Sequence, residues 1–332
     1  MDEDDAKAGE AATPAPDAAM PDAPPAATPS RANPILIAGL LIGALILGVL
    51  VGRILPRTAV KHAGITALSS AIKLPPGVIP PNQETDPLWK KCESRDADTA
   101  IDGCGAIINA NKETPANLAV AYNNRGWAYP QKGQYDLSIA DYTQVIRLTP
   151  GDGDAYDGRG VALMHKAAAD PNPNYDAALA DFQQAIRINA GDPVAYKNRG
   201  DVYGSTNDYP HAIADFSKAL ELAPGYEDVY VDRGNTYSLQ KNFDQALADF
   251  GKALAIDPKA DRAFAARGLV YVAQGQYDLA IADFNQALAL NANNDMALSG
   301  RAQAKLHQGD LHGANDDYQA AKAINPSLPS IF

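Results

Sequence analysis

A chain of 332 residues exceeds the ~100–200 residues of one ordinary domain, so more than one structural unit is expected. Its 28 Lys and Arg against 40 Asp and Glu give a formal charge of −12, which argues against the basic stripe a nucleic-acid binder needs. Two cysteines are too few for a disulfide-built scaffold or a four-thiolate zinc cluster.

Residues 1–33 are rich in Ala and Pro, with Lys7 facing a run of acids and no apolar periodicity. Such a stretch cannot bury enough surface to offset its ordering entropy, so a disordered acidic tail is expected. Ile35–Gly52 carries no charge and lies between Arg31 and Arg53. At ~1.5 Å per residue it approaches the ~30 Å hydrocarbon core of a bilayer, which predicts a transmembrane helix over 34–55. A cleaved signal peptide would start close to a basic N-terminus and end in a small-residue site, unlike this pattern. Gly39/Gly43 and Gly48/Gly52 offer two close-packing pairs for a homodimer through the span. Arg53, Arg57 and Lys61 follow it where only Arg31 closely precedes it, which favours a cytoplasmic C-terminal side. Residues 56–86 include Pro75, Pro76, Pro80 and Pro81 and read as a stiff linker.

From 87 to 118 the pattern predicts a degenerate helix hairpin, with Ala100, Ile101 and Ile107 facing inward. Cys92 and Cys104 fall one on each helix. An antiparallel pair can bring their Cα atoms within the ~4.4–6.8 Å a disulfide needs; two buried thiols is the other reading.

The remainder, 119–332, is repetitive. Arg-Gly recurs at Arg125-Gly126, Arg159-Gly160, Arg199-Gly200, Arg233-Gly234 and Arg267-Gly268, with Arg301-Ala302 as a sixth copy. The spacings are 34, 40, 34, 34 and 34. Small residues recur at Ser138, Ala178, Ala212, Ala246, Ala280 and Ala314. Aromatic rings follow at Tyr142, Phe182, Phe216, Phe250, Phe284 and Tyr318. This signature resembles the tetratricopeptide repeat, two antiparallel helices in 34 residues. The resemblance implies an all-α, right-handed solenoid of six repeats, preceded by the one transmembrane helix. Six extra residues near Met164–Asn174 predict a protruding loop in the second repeat. Each helix pair has an apolar stripe it cannot bury alone, and stacking shelters it. The apolar pairs facing the next unit, from Ile139/Ile146 to Ile281/Leu288, become Asn315/Lys322 in the sixth, where the stack ends. Leu328, Ile331 and Phe332 are expected to fold back over that end.

A cysteine pair followed by Asn-Arg-Gly repeats also resembles bacterial membrane-anchored, cell-envelope tetratricopeptide proteins. That resemblance implies an oxidising compartment, hence periplasmic repeats on the inner membrane. The charge rule supports the alternative, repeats facing the cytoplasm.

Chemistry is sparse. Asp141, Asp181, Asp215, Asp249, Asp283 and Asp317 recur with the six arginines and read as structural pairs between neighbouring helices, for example Asp141 with Arg159. His307 and His312 make a weak metal pattern. Gly151-Asp152-Gly153-Asp154 lacks the residues of a phosphate or calcium loop. No catalytic pair, triad, cofactor fingerprint or metal set is found, so an enzyme is not expected.

In such solenoids, first-helix positions six and three before and one after the glycine point into a concave groove. These include Asn123 and Trp127, Asp154 and Asp157, Lys197 and Asp201, Asp228, Val231 and Asn235, and Arg262 and Leu269. The Lys, Asn and Arg set with which some relatives clamp a terminal carboxylate is absent. Residues 119–328 hold 18 basic and 26 acidic side chains, so a partner with basic extended segments is the electrostatic expectation. The functional reading is a membrane-anchored adaptor that holds an extended peptide or helix of a partner. Its alternatives are a self-assembling structural module, or an accessory subunit of envelope secretion or polysaccharide machinery.

Overall fold

The computed structural model describes residues 86–331. The acidic tail, the span with its glycine pairs, nearly all of the linker and Phe332 lie outside the described residues. Among the described residues every regular element is helical, and none is long and apolar enough to cross a membrane.

The first hairpin is α1 (Pro87–Cys92) and α2 (Ala97–Ala110). Six pairs follow: α3 (Pro115–Ala128) and α4 (Tyr135–Leu148), α5 (Gly153–Ala168) and α6 (Asp176–Ile188), α7 (Pro193–Ser205) and α8 (Tyr209–Leu222). Then come α9 (Glu227–Leu239) and α10 (Phe243–Ile256), α11 (Asp261–Ala273) and α12 (Tyr277–Leu290), α13 (Asp295–His307) and α14 (Leu311–Ile324). The first repeat starts one turn earlier than the glycine register predicts. Thr114 accepts a hydrogen bond from the Asn117 amide at 3.2 Å, and Pro115, which needs no partner for a missing N–H, opens the helix.

Within each pair the small residue and the ring set the contact. Ser138, Ala178, Ala212, Ala246, Ala280 and Ala314 are at most 1% exposed, which lets the two helices approach. Phe182, Phe250 and Phe284 are fully buried behind them. Apolar positions then close the junctions between repeats: Leu247 and Leu254 pack against the cluster that holds Phe250, Ala263 and Val270, and Ile281 and Leu288 against that of Phe284 and Ala297. Asn315 and Lys322 are exposed in the last helix, as expected of a terminal face. Leu328 and Ile331 are half-buried.

The first helices of successive repeats touch one another more closely than the second helices do, so the stack curves with first helices on its inner side. The insertion lengthens α5 to 16 residues and leaves an exposed loop at 169–174. At the N-terminal end, Cys92 and Cys104 are joined in a disulfide with Cα atoms 4.5 Å apart. Trp89, fully buried, packs with both cysteines, Ile107 and Ala121 of α3.

Candidate functional site

The six Arg/Asp pairs are structural, but their partnering differs from the expected one. Asp141 binds Arg125 of its own repeat, through Nε to Oδ2 at 2.8 Å and Nη2 to Oδ1 at 2.9 Å, rather than Arg159. Arg159 takes Asp181 in the same bidentate way and turns its remaining nitrogen to Thr143 Oγ1, 3.2 Å away in the preceding repeat. The physical reason is the hairpin: it sets the guanidinium of the first helix opposite the middle of its own second helix, while the next repeat is reached only by the outer nitrogen. Arg233 repeats the pattern, with Asp249 at 2.7 and 2.8 Å and Ser217 at 2.9 Å. Tyrosine rings cover the guanidinium, Tyr230 at 5.8 Å and Tyr237 at 5.9 Å, and the carboxylate bonds hold Arg233 above its usual range.

The inner face carries a second set of polar groups. Lys197 Nζ lies 2.6 Å from Asp201 and 3.5 Å from Asp232. Arg262 reaches Asp228 at 3.1 Å and Asp232 at 3.3 Å. Burial alone would lower Lys197; the charges of Asp201 and Asp232 overcome it and keep the ammonium firmly protonated. Burial pushes Asp201 up to about 6 against the pull of Lys197. Glu227, at the start of α9, is pushed up to about 7 by burial and by Asp228. Units three to five thus hold two internal cations shared among three aspartates on adjacent first helices.

Unit two differs. Asp157 accepts from Asn198 Nδ2 on both carboxylate oxygens, at 3.1 and 3.0 Å. It is pushed up to about 7 by burial, with the charges of Asp192 and Asp154 adding to the effect. Asp154 is exposed and also raised, by burial and by Asp152 and Asp192. Asp152 and Asp192 serve as helix caps, accepting from Ala155 N at 3.2 Å and Val194 N at 2.9 Å. The glycine-aspartate stretch at 151–154 is therefore an inter-repeat turn and helix start. His165 stacks on Tyr135 at 5.7 Å and is pushed down to about 4 by burial and by Lys197.

Of the residues expected in the groove, Asp157, Lys197, Asp201, Asp228 and Arg262 are brought together, with Asp154 beside them. Asn123, Trp127 and Asn235 are half-buried on the same helical face. Leu269 is half-buried against the Phe284 cluster. Val231 is corrected: at 1% exposure it belongs to the core with Val270 and lies beneath the groove surface, because its side chain is covered by the next first helix. Sequence reasoning missed Asp232 and Asn198. Both stand immediately before the Arg-Gly pair, four residues after the first groove position (Asp228 to Asp232), which places them on the same helix face. That spacing was the available signal. His307 stacks on Tyr277 at 4.9 Å and His312 pairs with Asp316 at 3.1 Å, so the two do not converge on a metal. Among the described residues no group of three His, Cys, Asp or Glu side chains is arranged to hold one.

Tetratricopeptide repeat models match residues 123–193, 193–226 and 227–260, and a TPR repeat model matches 268–309. The small glutamine-rich tetratricopeptide repeat-containing protein 2 of Mycosarcoma maydis is 35% identical over 75 residues, 23% of this chain and 20% of that protein. The chain thus spans about a fifth of that relative's length. A tetratricopeptide repeat protein of Parabacteroides merdae is similar in structure at TM-score 0.58 and 18% identity, over 72% of this chain and 90% of that one. PilF of Pseudomonas aeruginosa gives 0.56 at 16% identity, over 65% and 96% of the two chains. PilW, a type IV pilus biogenesis factor, gives 0.56 at 19%, over 64% and 95%. At these identities the structures speak for the fold alone. With repeat models spanning units one to six, the chain belongs to the tetratricopeptide-repeat family, a fold that serves as a protein–protein interaction scaffold.

Proposed function

We propose that this chain is an adaptor whose inner face holds an extended segment or helix of a protein partner bearing basic residues. A span over 34–55 anchors it in the bacterial inner membrane, with the repeats in the periplasm. The observation that carries the reading is the row of partly exposed polar side chains on adjacent first helices, from Asp154 through Lys197, Asp201, Asp228 and Asp232 to Arg262. Rigid helices fix these groups, so little ordering entropy is lost when a partner meets them. The acidic excess of the repeats raises the encounter rate of a basic segment.

A crosslinking pull-down from membranes tests the groove. Partners captured by the wild-type chain should be lost at least tenfold with Trp127→Ala or Asn235→Ala; equal capture sinks the assignment. Thiol labelling in intact cells tests the compartment: Cys92 and Cys104 should react only after reduction.

The self-assembly reading has less support, since exposed Asn315 and Lys322 give the last helix a polar outer face. Light scattering of the full chain in detergent decides between the two, and concentration-dependent growth beyond a dimer would favour assembly.

A further inference from the structure

The cations of the inner face are unevenly distributed. Lys197 and Arg262 are bonded to Asp201, Asp228 and Asp232, which balances units three to five. At the junction of units two and three, Asp154, Asp157 and Asp192 repel one another, and none makes an ion pair among the described residues. The Lys197 charge reaches Asp157, but its ammonium is hydrogen-bonded to Asp201.

A second feature lies under this cluster. Four repeats place phenylalanine at the ring position; the first repeat places Tyr142, 1% exposed, and its hydroxyl has no hydrogen-bond partner. The hydroxyl lies over Gly158, where a Cβ would sit 2.8 Å from it, and Gly158 directly follows Asp157. The charges acting on the phenol are those of Asp157, Asp141, Asp152 and Asp154. A buried hydroxyl without a partner is rare and costly. The phenol is sealed from solvent and feels the charge of these carboxylates, a buried polar group beneath them.

We infer that Asp154, Asp157 and Asp192, with the Tyr142 hydroxyl beneath them, form the seat for one lysine or arginine side chain of the partner. The inference rests on the adaptor reading and adds to it the position at which a basic residue is read. A cation there relieves the mutual repulsion of the three carboxylates, on which Lys197, bonded to Asp201, acts only in part. Further along the groove Lys197 and Arg262 already occupy the equivalent place, so a basic side chain gains less there.

The test uses the full chain in detergent and a fluorescein-labelled decapeptide of alternating Lys and Gly, followed by anisotropy. The wild type should bind it and ignore the Glu-Gly counterpart. Asp154→Lys, at an exposed position that leaves the fold intact, should weaken binding at least tenfold, and Tyr142→Phe, the residue of four other repeats, at least threefold. Asp176→Lys, exposed at the start of α6, should change it less than twofold. Equal affinity of the wild type, Asp154→Lys and Tyr142→Phe overturns the seat, as does displacement of the peptide by micromolar calcium, which would mark a metal site. If the peptide fails to bind while Trp127→Ala still loses the partners captured from membranes, the seat falls and the groove stands. If Trp127→Ala and Asn235→Ala keep those partners, the groove reading falls first.

Discussion

Phe284 shows how tightly single atoms are set. Its ring lies against Gly268 of its own repeat, where a Cβ would stand 2.6 Å from Cε1, and against Gly300 of the next. Gly268→Ala gains helix propensity of up to ~1 kcal/mol but overpacks a ring that is blocked on its far side, and a net loss of ~1–2 kcal/mol is expected. Thermal unfolding reads this as a Tm lower by several degrees; an unchanged Tm would show that the ring can shift. Asp157 gives the second prediction at this scale. Its carboxyl releases a proton near 4 when unfolded and near 7 when folded. Between those values the unfolded state binds fewer protons, so stability falls as pH rises through that window, and Glu227 acts in the same sense. Denaturant midpoints should therefore drop from pH 4 to pH 7 on account of these groups. Asp157→Asn should recover ~1–3 kcal/mol of that loss at pH 8. A variant as pH-sensitive as the wild type would place the titration elsewhere.

Among the elements, the turn between the two helices of a repeat needs a left-handed residue. Gly133, Gly275 and Gly309 take it with φ of 70°, 73° and 84°, whereas repeats three and four use Asn207 at 62° and Lys241 at 61°. Asparagine tolerates that region; a lysine with its Cβ near the following carbonyl does not. Lys241→Gly is therefore expected to stabilise the chain by ~0.5–1 kcal/mol, the relieved strain outweighing the added freedom of the unfolded chain. A lower denaturant midpoint in the variant would show that strain is absent. The second repeat escapes the constraint because its insertion replaces the tight turn with the exposed loop at 169–174. Helix starts follow simple capping chemistry, as where Asn294 accepts from Ala297 N at 2.9 Å.

At the scale of the molecule, each repeat leans only on its neighbours, so a fault at one end stays near that end. The six-residue α1 is too short to hold itself by helix propensity. It is tethered by the Cys92–Cys104 disulfide, which spans 12 positions, and by Trp89 in the first core cluster. Reduction should release ~3 kcal/mol of loop-closure constraint, shared between α1 and α2. Hydrogen exchange is expected to accelerate over 87–110 while units three to six keep their protection. Uniform loss of protection along the stack would show instead that the chain folds as a single cooperative block.

The amino-acid sequence by itself determined the repeat length, the helix pairs, the insertion and the polar end. Those features recur at fixed spacing, and the chemistry of small residues, rings and caps is local. It also placed the two cysteines on facing helices. The helix face on which the residues expected in the groove stand was legible for the same reason, since position on a helix face follows from spacing alone. The partners of charged side chains were decided only by tertiary structure. Asp141 could meet Arg125 or Arg159 by spacing, and the hairpin chose the nearer. Val231 shares its register with Asp157 and Lys197, yet the next helix covers it, because how deeply a position sinks depends on the side chains of the neighbouring repeat. Asp232 joins Lys197 to Arg262 across three repeats, a contact between residues 35 and 30 positions apart that no local pattern specifies.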